Sequence, residues 1–141
     1  MAMYRPVHVI RLSWPVETRT FAGLLSGNSD ALDADPLLAR FLAILRKDSA
    51  LGDFGLYRSV AEIAPSWEIF TPGQGAKPTL GHAGTAETST NVMVTVHVSA
   101  DCPADELDRI LDCLVREHPW EVPVIEVSEA RLLVRSDQAV R

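Results

Sequence analysis

The clearest pattern along the chain is an alternation at residues 92–98, where Val92, Val94, Val96 and Val98 share one face and Met93, Thr95 and His97 the other. Successive side chains of a strand point to opposite sides, so this period of two predicts a strand with one buried face. A similar mixture of apolar and β-branched residues at 7–14, with Pro6 before it and Pro15 after it, predicts a first strand that Pro15 ends. Weaker alternation over 56–63 predicts a second strand, bent at Pro65 and resumed from 67 to 71. Residues 122–127 predict a fourth strand, and residues 130–135 a further short edge strand.

Two segments carry helical spacing instead. Asp35 followed by Pro36 is a start signal, because the carboxylate can cap free amides and proline at the first helical position forfeits no hydrogen bond. Leu37, Leu38, Phe41, Leu42, Ile44 and Leu45 then form a broad apolar face, with Arg46 and Lys47 near the negative end of the helix dipole. The second helix begins after Pro103, shows Leu107, Ile110, Leu111 and Leu114 on one side, and ends near His118. Asp105 with Arg109 and Asp112 with Arg116 are spaced for i,i+4 pairs, each worth about 0.2–0.5 kcal/mol. Residues 17–35 mix Gly23, Gly27, Asn28, Ser29 and Asp30 with scattered leucines and read as an irregular insertion, a loop or a short helix.

The resulting order β, α, β, β, α, β is that of an α+β, ferredoxin-like sandwich with two helices on one face of an antiparallel sheet. The second sheet face would carry Met93, Tyr57 and Ile63 beside Thr95, His97 and Ser59. Such a mixed surface suits partial burial against another copy, which predicts a homo-oligomer. One domain is expected over residues 1–141, with a loose tail at 136–141.

Composition narrows the partners. The 141 residues are 47% hydrophobic and 23% charged, as in an ordinary globule, and the net charge of -6 disfavours nucleic acid. No apolar run approaches the roughly 20 residues of a membrane span, so no membrane partner is expected. The first 14 residues, interrupted by Arg5 and Arg11, lack the apolar core of a signal peptide, which predicts a cytoplasmic protein. Cys102 and Cys113 would then be reduced thiols, and their spacing matches no zinc or redox motif.

Chemistry is sparse. Gly73-Gln74-Gly75 with Lys77 nearby invites a phosphate-loop reading, but Pro78 follows the lysine and no helix follows the loop. There is no Gly-x-Ser-x-Gly elbow and no His-Glu-x-x-His, so no catalytic residues are named and an enzyme is not expected. His118 continues the apolar stripe of the second helix and reads first as part of a structural turn. There the dipole would favour its charged form, and Glu121 could accept its proton's hydrogen bond. The alternative is ligand or metal contact; His118 and Glu121 supply two donors where zinc normally takes four. No cofactor is required, and a divalent metal is the one these side chains, with His82, could help to hold.

Two segments bring a resemblance. His118-Pro119-Trp120-Glu121-Val122-Pro123 resembles the His-Pro-Tyr-Glu-Val-Pro turn of the CutA divalent-cation-tolerance proteins. The run from Phe70 to Gly84, followed by Glu87, resembles the Phe-x-Pro-x-x-Gly-Ala-x-Pro-x-Ile-Gly-x-x-Gly segment of the domain inserted in Nif-three-like dinuclear-metal proteins. Gly52, Gly55 and Tyr57 fit the turn before it. The resemblance implies a CutA-like and PII-like fold, often trimeric. It does not imply the dinuclear centre, whose ligands belong to a flanking domain of the longer proteins. Ser59, Val60 and Ala61 stand where the family pattern has a cysteine, and residues 17–35 are a second departure.

In PII-like proteins the connection between the second and third strands contacts effectors. That makes Gln74, Lys77 and His82 the first ligand candidates here, with His118 and Glu121 behind them. The function expected is a non-enzymatic oligomeric binding or regulatory module, taking a small ligand or divalent metal at subunit interfaces. The alternative is a structural or protein-interaction domain acting through the 72–87 loop.

Overall fold

Four antiparallel strands form a single sheet in the computed structural model, which describes residues 1–135. The chain runs β1 (Met3–Pro15), α1 (Thr18–Leu25), α2 (Ala31–Ala34), α3 (Leu38–Leu45), β2 (Ala61–Phe70), β3 (Glu87–Ser99), α4 (Ala104–Glu117) and β4 (Ile125–Val134), and the sheet order is β2-β3-β1-β4. This is the ferredoxin-like α+β arrangement predicted from the pattern.

The valine face of β3 lies in the core. Ile10 opposes Val96, Leu12 opposes Val94 and Trp14 opposes Val92, and all are completely buried. Phe21 of α1, Phe41 and Leu42 of α3, and Ile110 and Leu114 of α4 close over this face. Removing each such side chain from water stabilises the fold by about 1.5–3 kcal/mol before the entropy of ordering is counted. The Trp14 indole N–H donates to the Leu37 carbonyl at 2.8 Å, so the largest core residue carries no unpaired polar atom.

Residues 17–35 are more ordered than expected. They contain α1 and α2, which the scattered glycines obscured. Gly23 sits inside α1 because an added Cβ would lie 3.2 Å from the Ala31 Cβ, so its absence lets the two short helices approach. Asp35 ties the segment to the rest. Its Oδ1 accepts the amides of Leu37 and Leu38 at 2.9 and 2.8 Å, the predicted cap, while Oδ2 accepts the Glu17 amide at 2.8 Å and the Thr20 hydroxyl at 2.6 Å.

The second strand is displaced from its expected position. Residues 56–60 form a turn, with Gly52, Gly55 and Ser59 at positive φ, and β2 then runs from Ala61 to Phe70 without interruption at Pro65. An edge strand tolerates proline because one side of its backbone has no partner to lose. At Gly52 a Cβ would stand 2.7 Å from the Val60 carbonyl oxygen, and the Gly52 amide donates to His97 O at 2.8 Å, which makes glycine necessary there. Tyr57 and Ser59 therefore lie outside the sheet, and Ile63, opposite Val94, belongs to the helix-covered face. Met93, Thr95 and His97 do occupy the second face, half-buried.

At the other edge, β4 starts at Ile125 rather than 122 and absorbs most of the separate edge strand expected over 130–135. It pairs with β1 from Met3↔Val134 to Leu12↔Ile125, which draws the start of β1 back to Met3. Pro6 is accommodated because β3 pairs with β1 only from Val7 onward. On α4, Arg109 meets Asp105 at 3.3 Å as expected, whereas Arg116 lies 4.0 Å from Glu117 instead of pairing with Asp112. The expected tail 136–141 lies outside the described residues.

Candidate functional site

The connection between β2 and β3 is a closed, glycine-punctuated loop. The Gly84 amide donates to Pro72 O at 2.8 Å and ties its base, while Gly75, Gly81 and Gly84 take the positive φ values its turns require. Two long-range hydrogen bonds dock it on the turn after α4: the Lys77 amide donates to Glu121 Oε1 at 2.9 Å, and the Thr79 hydroxyl to Pro119 O at 3.1 Å. Glu121 thus serves the loop, not His118 as the sequence suggested.

His118 anchors that turn to the sheet. Its Nε2–H donates to Ser13 O at 2.6 Å, its Nδ1 accepts the Trp120 amide at 3.0 Å, and its ring lies 4.6 Å from the Trp14 indole. Both nitrogens are occupied in the neutral tautomer, so neither is left for a metal or ligand. Burial holds its pKa below the ordinary value near 6.5, partly offset by the bond to Ser13. The expectation that the helix dipole would favour the charged ring fails because desolvation outweighs it.

Between the docked loop and the turn lies a cleft of about 250 Å³. Phe70 and Trp120, with ring centroids 6.1 Å apart, form aromatic walls; Pro72, Pro78, Leu80 and Val122 extend them, and Glu68 and Glu121 are its charged lining residues. Glu68 is held by a polar cluster on the sheet. Its Oε2 accepts the Ser13 hydroxyl at 3.3 Å and the Asn91 amide at 3.2 Å, while Asn91 also donates to Ser13 Oγ at 2.6 Å and accepts from Ser89 Oγ at 2.6 Å. Asn91 is fully buried, and the cluster leaves none of its buried polar atoms unpaired.

Only part of the sequence-derived site assembles. Glu121 lines the cleft and Lys77 supports it through its backbone, whereas Gln74, Lys77 and His82 are exposed and their side chains do not line it. Among the described residues no three His, Cys, Asp or Glu side chains come together to hold a metal ion. Glu68, Phe70, Asn91 and Ser13 were not singled out as site residues. Their juxtaposition depends on the register Pro15↔Asn91 and Ser66↔Asn91, for which the local pattern has no signal.

No protein-family model matches the chain, and neither does any curated protein. Among solved structures, it is similar to a Bacillus cereus protein related to NIF3, at 16% identity and a TM-score of 0.58, over 92% of this chain. It spans 27% of that protein's length, and the likeness is one of fold. The periplasmic divalent cation tolerance protein CutA from Archaeoglobus fulgidus matches at 13% identity with a TM-score of 0.42, over 86% of this chain and 81% of that one. Among the described residues no helix is long and apolar enough to cross a membrane.

Proposed function

We propose that this protein is a non-catalytic binding module that takes a small ligand in the cleft between the 71–86 connection and the 119–124 turn. The observation that carries the reading is the docking of a loop and a turn 40 to 44 residues apart, by the Lys77–Glu121 and Thr79–Pro119 hydrogen bonds. These bonds preform a concave, mostly apolar site with a few polar groups, the usual form of a ligand pocket. Among the described residues no serine, cysteine, lysine or histidine side chain lines it, which favours binding over catalysis. A divalent metal fits less well, because His118 has no free nitrogen and the cleft's carboxylates stand among apolar walls. Such a site would need donors from another subunit.

The labelled protein can be titrated with a panel of small anions, neutral compounds and cations while the three tryptophan indole signals are followed by NMR. Binding should shift Trp120 and the loop amides and leave the buried Trp14 indole unchanged. Loss of the site from consideration would follow if no compound moved Trp120 at millimolar concentration.

Self-association is part of the same reading. The edge strands β2 and β4 expose Trp67, Ile69 and Leu133, Ile69 by 80%, and unpaired edges with apolar side chains readily template pairing. Light scattering should give a multiple of 15.4 kDa, with three copies the expected number. A mass of one chain at micromolar concentration would refute it.

A further inference from the structure

We propose that the cleft selects an organic monocation, an ammonium or guanidinium on an aromatic or aliphatic stem, with Glu68 and Glu121 holding the charge and Phe70 and Trp120 flanking the stem. The inference rests on the cleft being a ligand site and names the chemistry of its occupant.

Charge comes first. Among the described residues, both charged side chains lining the cleft are acids, and no lysine, arginine or histidine joins them. Glu68 Oε2 and Glu121 Oε1 already accept hydrogen bonds, but Glu68 Oε1 and Glu121 Oε2 accept none from the described residues. Each carboxylate therefore keeps one oxygen for a donor from outside. Charge-assisted hydrogen bonds of that kind are about twice as strong as neutral ones, and they strengthen further in a cleft with low-dielectric walls.

The walls exclude the other classes. A phosphate would meet two carboxylates and find only neutral donors on lining side chains of the described residues, the hydroxyls of Thr71 and Thr79 and the indole N–H of Trp120. A calcium or magnesium ion requires about six oxygen ligands, whereas proline, leucine, valine and aromatic surface makes up much of the lining. An organic cation uses both halves of the site: its charge meets the acids, and its stem covers apolar surface. A cation over an aromatic face is attracted further by the negative face of the ring. The volume, about 250 Å³, lies below the range typical of drug-sized ligands and limits the occupant to a small molecule.

The polar cluster beneath the cleft has a positioning role in this scheme. Ser13 and Asn91 hold one oxygen of Glu68, so the carboxylate is oriented before a ligand arrives and less order is lost on binding.

The test is calorimetry on the full chain with phenethylammonium, benzylguanidinium, the neutral phenethyl alcohol, the anion 3-phenylpropanoate and manganese chloride. The two cations should bind at least tenfold more tightly than the alcohol, and the anion should not bind. Glu68→Gln preserves an acceptor for Ser13 and Asn91 while removing the charge, and should weaken the cations at least tenfold. Glu121→Gln provides the same readout should the first variant fail to fold. Equal affinity for the alcohol and the ammonium, or preference for the anion or manganese, overturns the charge assignment and leaves the cleft as a ligand site. Silence toward every probe in both calorimetry and the Trp120 titration overturns both.

Discussion

Asp35→Ala should lower the free energy of unfolding by about 3–4 kcal/mol, read as a shift of the urea midpoint at unchanged slope. The carboxylate is 1% exposed and accepts four hydrogen bonds, from the amides of Glu17, Leu37 and Leu38 and the hydroxyl of Thr20. An N-cap alone typically contributes about 1 kcal/mol. Here the same side chain also joins the entry of α1 to the start of α3, so alanine strands several donors where little water can reach them. Asp35→Asn should recover part of the loss, since its carbonyl oxygen can still accept while its amide group faces donors. A destabilisation below about 1 kcal/mol for the alanine variant would mean that these donors find other partners, contrary to the usual cost of burying them unpaired.

The same residue shows where local sequence information ends. Asp35-Pro36 marks a helix start because capping and proline geometry are local properties; the Asp35 cap holds in the structure, and α3 begins at Leu38, two residues after the proline. Nothing near Asp35 announces that its other oxygen serves Glu17 and Thr20. The valine alternation of β3 was legible because one face is wholly buried and the other is not. In β2, by contrast, both Trp67 and Ile69 are exposed on the edge, and the true strand has weak contrast between its faces. The alternation at 56–63 therefore placed it too early, over a turn held by Gly52 and Ser59. Helices α1 and α2 were hidden because their stability comes from packing and from Asp35 rather than from intrinsic propensity.

The site divided in the same way. A glycine-rich connection could be recognised as an ordered loop, and Glu121 as a polar group near a rigid turn. Their contact could not, because Lys77 and Glu121 are 44 positions apart and meet through a backbone amide that any residue but proline would supply at 77. Exposed polar side chains such as Gln74 and His82 carry the functional signal in the sequence, while the cleft walls are aromatic, proline and aliphatic side chains, residue types that a local pattern does not separate from ordinary packing. Glu68 became a candidate only after the β2–β3 register set it beside Ser89, two positions from Asn91 in β3.

His118→Ala should cost about 2–3 kcal/mol and should remove part of the acid sensitivity of the fold. Alanine leaves the Ser13 carbonyl without its 2.6 Å donor and the Trp120 amide without its acceptor, and opens a void beside the Trp14 ring. Burial lowers the pKa of the native histidine, so above the unfolded value near 6.5 both states are neutral and its stabilising contribution is fully present. As pH falls below 6.5 the unfolded chain takes up the proton first, and stability declines until the folded pKa is passed. Once protonated, the ring has no lone pair for the Trp120 amide, so the turn that walls the cleft should loosen over the same window. Urea unfolding of the parent and the variant from pH 7 downward isolates this group, because the other three histidines are common to both. The difference between the two stabilities should shrink as the pH is lowered. A difference that stays constant from pH 7 to pH 5 would show that His118 is not held neutral by its burial.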